Sequence, residues 1–210
     1  MKPHRVVCQF AIALSSILWS EARADSPPTE EYVVPVRVHL LQSTNTAKIH
    51  TTLKDTDITR ILAKVNRVWA PAKIRFELES LKKETANPVT LPDEDPRDRA
   101  LLTLIPQATR GREVFNIYYV KRMQPNGYWA GGVVFVKDTA SLKQVPGGID
   151  EPLPRVTAHE LGHALGLAHR QDTTNLMASG TTGTALNAEE IQHARETASK
   201  LPWVKRSEKK

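Results

Sequence analysis

Cysteine is almost missing from this chain, with one in 210 residues, Cys8. It lies in an N-terminal stretch that reads as a removable leader, so the folded part is expected to hold none. That excludes a disulfide framework and a thiolate nucleophile, and leaves packing and any bound metal to hold the fold. No serine stands in a nucleophile pattern either. After the leader no apolar run is long enough to cross a bilayer. Aromatics make up 6% of residues and do not interleave with the basic ones, so a nucleic-acid partner is not expected. Internal repeats and low-complexity segments are absent.

What is present begins with export. Lys2 and Arg5 form a basic start, Val6 to Trp19 an apolar run, and Ala22-Arg23-Ala24 a small-x-small cleavage pattern. Residues 1–24 are therefore expected to be a cleaved signal peptide, and the protein to be secreted or periplasmic. The remaining 186 residues suit one domain, 25–204, followed by a solvated basic tail at 205–210. The formal net charge is +6, and +4 once Lys2, Arg5, Arg23 and Glu21 are removed. That is too modest to define a partner, and a monomer is expected.

The densest signal lies at residues 159–169, His-Glu-Leu-Gly-His-Ala-Leu-Gly-Leu-Ala-His. On a helix His159 and His163 stand one above the other, so two imidazoles can share one ion, and neutral imidazole suits zinc. Glu160 points near the same ion without binding it and can take a proton from water. A straight helix would carry the third histidine away from the metal. Gly166 can adopt φ > 0, end the helix and turn the chain back, so that His169 arrives from another direction. Three nitrogen ligands leave one tetrahedral position open, which is the layout of a catalytic zinc site. Such a spacing should arise by chance roughly once in 10⁵ chains of this length.

This pattern resembles the signature of the metzincin metallopeptidases, and Met177, eight residues past His169, resembles the matrixin branch in particular. The resemblance implies several things. Met177 would form a turn beneath the metal as a hydrophobic base. The edge strand of the sheet would lie along the cleft and pair with an extended substrate, placing Trp129, Ala130 and Gly131 on the substrate side, with Tyr128 a second aromatic for the rim. Residues 178–181, Ala178 and Ser179 first, would wall the pocket for the residue after the cut. Asp172 would brace the Met177 turn or a ligand. Matrixins usually carry Tyr-Pro where Ala178-Ser179 stand, so the pocket is expected to differ. The cysteine of a latency propeptide is missing too, which implies a protein competent once folded and metallated.

Along the chain, Asp25 to Glu31 reads as a short leader and Tyr32–Leu41 as a first strand, near an edge at Pro35. Asp55 or Asp57 caps a helix to about Ala70, with Ile58, Ile61, Leu62, Val65, Val68 and Trp69 on one face. Lys73–Leu81 alternates as a second strand. Residues 82–99 form a charged surface excursion whose Asp93-Glu94-Asp95 and Asp98 do not match a calcium loop, so structural calcium is possible but unsupported. A short helix is expected at about 96–105, and strands at Val114–Met123 and Val133–Val136. The glycine-rich 125–132 stretch is either the cleft edge or a bulged hairpin. The active-site helix starts near Leu153 to Arg155. Asn187 with Glu190 resembles a capping box opening a last helix to about Leu201. His39, His50 and His193 have no ligand spacing. The expected architecture is α+β: one metzincin-like catalytic domain with a twisted mixed sheet, a backing helix, the active-site helix, and a small C-terminal part ending in a helix.

The resulting expectation is a zinc-dependent endopeptidase acting on peptide or protein. Two rivals stand beside it: a zinc-dependent amidase on a cell-wall or other non-protein amide, and a non-catalytic zinc-binding interaction module on the same scaffold.

Overall fold

The computed structural model describes residues 30–88, 95–96 and 99–208. The leader with Cys8, the acidic residues Asp93, Glu94 and Asp98, and the last two residues lie outside the described residues. Asp95 is described and pairs with Arg122 and Lys48.

Six strands form one mixed sheet. These are β1 (Glu30–Gln42), β2 (Ile74–Thr85), β3 (Phe115–Val120), β4 (Gly127–Ala130), β5 (Val133–Lys137) and β6 (Lys205–Glu208). Their order is β2-β1-β3-β5-β4, with β6 on β1. The first four in that order run parallel, whereas β4 and β6 are antiparallel to their neighbours. Helices α1 (Asp55–Trp69), α3 (Pro152–Ala164) and α4 (Ala188–Ser199) are joined by a short α2 (Arg99–Thr103).

Side-chain alternation along the strands feeds two cores. From β1, Val34, Val36, Val38 and Leu40 face the main core, where Ile58, Ile61, Leu62, Val65 and Trp69 of α1 and Ala158 and Leu161 of α3 pack. From β3, Ile117 and Tyr119 join that core, while Tyr118 and Val120 enter a second one with Leu41, Ile49, Leu101, Ile105 and Phe135. The second layer explains why β3 is buried at every position. It also buries His39, which sits between Glu84 (Nδ1 to Oε1, 2.7 Å) and Asn116 and stacks on Tyr118.

Several expectations are corrected. The first strand begins at Glu30, not after a leader ending at Glu31. It is interior, because β2 lies on one flank and β3 and β6 share the other. Pro35 survives there because that second flank has a gap. β6 pairs with residues 30–33 and β3 with 36–40, and the Tyr32 N–H points to the β2 side, so the amide nitrogen of Pro35 faces the gap by alternation. The N-cap of α1 is Lys54, whose N–H donates to Asp57 Oδ2 at 2.9 Å, so Asp57 closes the turn from inside it. β2 runs on to Thr85 through the first part of the expected excursion. The basic end is a paired strand from Lys205 rather than a loose tail. α2 is shorter than the helix expected there. No helix among the described residues is long and apolar enough to cross a membrane.

β2 carries one bulge: Glu79 is the extra residue between Leu78 opposite Val36 and Ser80 opposite Arg37. Its carboxylate accepts from Nε and Nη2 of Arg37, both at 2.9 Å, and that fork holds the Glu79 carboxyl down to about 2. Because the folded value lies below the unfolded one, the pair's contribution is full above about pH 4.5 and is lost as the pH falls towards 2. Glu79 is well exposed, so Glu79→Gln is expected to cost only about 0.5–1 kcal/mol at pH 7. The wild-type and variant urea curves should converge near pH 2.

Candidate metal centre and its cleft

Helix α3 begins with Pro152 and Pro154, whose rings preset helical φ where no N–H is needed. It is buried from Leu153 through Gly162, held between α1, β5 and β4. It stops at Ala164 because of Gly166, at φ +85°. There Gly166 N–H donates to the His163 carbonyl (2.9 Å) and Leu167 N–H to that of Gly162 (2.9 Å), the paired bonds of a Schellman cap. The same cap orients a ligand, since the Leu167 carbonyl accepts from His163 Nδ1 at 2.8 Å.

His159 is anchored in the same way, its Nδ1 donating to the Leu176 carbonyl at 2.8 Å. A carbonyl only accepts, so both rings carry their proton on Nδ1 and present a bare Nε2 lone pair. Those two Nε2 atoms lie 3.2 Å apart, and His169 Nε2 stands 3.1 Å from that of His163. The three ligand nitrogens form the one group among the described residues able to hold a metal ion. Between His159 and His163 there is no proton to share, so the lone pairs repel unless a cation lies between them. Burial opposes a proton as the remedy, pushing His159 down to about 3 and lowering His163 as well. The donor set, three imidazoles of which His159 and His163 have their second nitrogens tied to the main chain, fits zinc.

Glu160 is buried beside the triad, and burial raises its carboxyl to about 8, with Arg155 opposing the shift. The side chain fits because β4 begins with glycine: a Cβ on Gly127 would collide with the Glu160 carboxylate, lying 2.7 Å from its carbon. His159, Glu160 and His169 line a cavity of about 230 Å³ together with Asn126, Gly127, Leu142, Arg155, Ser179 and Gly180.

Met177 is fully buried beneath the helix, and a Cβ on Gly162 would stand 2.6 Å from its sulfur. Its carbonyl accepts from Arg170 N–H, next to the third histidine, at 3.0 Å, so the turn and the ligand segment are stitched together. Asp172 braces the approach to this turn, accepting from the Thr174 N–H (2.9 Å) and hydroxyl (2.8 Å). A further brace comes from α4. Glu190 closes the Asn187 capping box and also accepts from Asn175 Nδ2 (2.8 Å) and Arg170 Nε (2.9 Å).

The residues expected on the substrate side divide. Ser179 lines the cavity, whereas Trp129, Ala130, Gly131 and Ala178 do not. β4 is the terminal strand of the sheet, and Trp129 is exposed on it at 40%. Gly131 and Gly132 form a two-residue hairpin turn with φ of +58° and +83°, so the turn itself requires glycine there and there is no bulge. Ala178 is buried, and its carbonyl accepts from Arg155. Sequence reasoning missed Arg155, which is 1% exposed. Its Nε donates to the Gly183 carbonyl at 3.0 Å and its Nη2 to those of Asn175 and Ala178. An arginine four residues before His159, on the helix face that turns inward, was the available signal.

The family model described as Matrixin matches residues 118–195, from within β3 into α4. Metalloproteinase-II from Bacteroides fragilis superposes with a TM-score of 0.52 at 15% identity, over 81% of this chain and 55% of its own. Archaemetzincin from Methanopyrus kandleri gives 0.51 at 14%, over 80% of this chain and 96% of its own. The chain thus spans about half the length of the Bacteroides protein and nearly all of the archaemetzincin. No curated protein sequence matches it.

Gly166→Ala should show whether the cap sets the ligand. The left-handed φ would cost an alanine about 1–2 kcal/mol, and its Cβ would meet the His193 ring. Zinc affinity, measured by chelator competition, is expected to fall about tenfold or more, because Leu167 and with it the His163 ring lose their place.

In fold the chain is similar to these metalloproteinases, and its histidine-bearing segment lies within the residues that match the Matrixin model.

Proposed function

We propose that this protein is an exported zinc-dependent endopeptidase that cleaves peptide bonds with Glu160 as general base. One observation carries the reading: three Nε2 atoms converge beside a buried carboxylate at the foot of a sheet edge that is free among the described residues. Zinc held by His159, His163 and His169 would polarise the substrate carbonyl and make water a better acid.

The protein's own residues do the rest. Among the described residues β4 pairs with no strand on its outer flank, to which an extended peptide can add as a further strand, with Trp129 against its side chains. Asn126 and Gly127 at the start of β4 bring that peptide beside Glu160. Glu160 takes the proton of the attacking water on a carboxylate oxygen and passes it to the leaving nitrogen. Its raised value belongs to the buried side chain alone, and a dication on the neighbouring imidazoles adds to Arg155 in favouring the ionised form. No covalent enzyme intermediate is needed. Export rests on the basic, apolar and Ala-x-Ala succession of residues 1–24.

Glu160→Ala is expected to retain near-stoichiometric zinc while turnover of casein or a quenched peptide falls by several orders of magnitude, about 10³-fold or more. Metal content with initial rates checks it, and a variant as active as wild type removes the base from the mechanism. Cell-wall fragments hydrolysed in place of peptides would turn the reading to an amidase.

A further inference from the structure

Strand β4 joins two places. Its first residue, Gly127, fits against Glu160, and its last, Ala130, runs into the turn at Gly131 and Gly132. That turn borders a second cavity, of about 660 Å³, at the opposite end of the strand from the acid. Arg110, Arg112, Phe115 and Trp203 line it with the two glycines, and no carboxylate does among the described residues.

This is a shaped site as well as a charged one. Phe115 and Trp203 meet edge to face at 5.1 Å and give it an aromatic wall. Arg110 Nη2 donates to the Gly131 carbonyl at 2.7 Å, which fixes a cation to the turn itself. That bond uses one of the five N–H groups of the guanidinium. Arg112 is exposed and makes no hydrogen bond or ion pair among the described residues. Its neighbour Glu113 is exposed, does not line the cavity, and stands outside ion-pair distance of both arginines. By contrast Arg37, which packs beside Gly111 near the same cavity, already has Glu79 as its partner.

Strand addition pairs main chain with main chain, so selection falls to the pockets that the added peptide passes. A strand rises about 3.3 Å per residue, so a peptide paired along β4 reaches the turn about four residues from the cut. A Cβ on Gly131 would meet no atom within 4 Å, so no side chain bars the way over the turn.

Resting on the peptidase reading, we infer that this cavity is an exosite in which Arg110 and Arg112 receive aspartate or glutamate side chains of the substrate, about four to six residues from the scissile bond. The favoured substrate is an extended peptide with an acidic stretch at that distance. Antiparallel addition to β4 puts the stretch before the cut, and parallel addition puts it after.

The test uses the full zinc-loaded chain and quenched peptides in which glutamine is replaced by glutamate, one position at a time, on both sides of the cut. Glutamate is expected to raise kcat/KM about fivefold at about four to six residues on one side, through KM rather than kcat, and the gain should vanish near about 1 M salt. With Arg110→Gln and Arg112→Gln combined, the Glu/Gln ratio at those positions should fall to near one, whereas in Arg112→Lys most of it should survive. A ratio taken within one variant is insensitive to how much protein folds. Should the double variant not fold, Arg112→Gln decides by lowering the ratio alone. No gain in wild type, an equal gain at every position, or a ratio unchanged in these Gln variants overturns the assignment.

A second arm needs no turnover: fluorescence anisotropy of a labelled extended peptide with three glutamates at one end, against its glutamine counterpart, on zinc-loaded Glu160→Gln protein. If nothing is cleaved, the peptidase reading fails by itself. Tighter binding of the glutamate peptide that Arg112→Gln weakens would still uphold the cationic site, whereas equal binding or none would overturn it.

Discussion

Two main-chain carbonyls, those of Leu176 and Leu167, fix where the protons of His159 and His163 sit, and the rest of the site follows from that. With each Nδ1 committed, the Nε2 lone pairs have nowhere to turn but towards one another. The protein thus folds its ligands into mutual repulsion that a cation relieves, a form of preorganisation in which metal binding adds to folding stability. Both carbonyls lie in turns. One is the Schellman cap that Gly166 makes possible, the other the tight turn that buries Met177. The turns therefore set the ring orientations, while the helix sets only the vertical spacing of two of them.

The sheet supplies the opposite wall. Because β4 runs against its neighbour, its start at Gly127 comes next to α3, and the missing side chain there is what leaves space for Glu160. A glycine on one element and a glutamate on another thus form a single fit. The outer flank of the same strand, unpaired among the described residues, then lies on the side of the sheet edge that Glu160 borders.

Where chemistry depends on local spacing, the sequence was legible. His159, Glu160, His163 and His169 meet as the helical period and the glycine break require, and Asn187 with Glu190 caps α4 as the residue types suggest. Strand alternation along β1 matches the main core, whereas on β2 it holds for Ile74 and Phe76 and fails at Leu78, which is exposed beside the Glu79 bulge. What stayed hidden depends on partners distant in the chain. The interior position of β1 needs β6, which arrives from the far end of the sequence. Burial of His39 needs the second core, and Gly131 and Gly132 are explained only once β4 and β5 pair. Arg155 is the sharpest case, because its acceptors are carbonyls, which every residue offers and no sequence marks.

The capping glutamate of α4 has a wider role than ending a helix. Its two oxygens serve Asn187, Asn175 and Arg170 together, so the first turn of α4 and the floor under the histidines share one carboxylate. Neither can loosen alone without stranding a buried acid. The C-terminal helix, which lends no residue to the cavity lining, is therefore tied into one cooperative unit with the floor under the histidines.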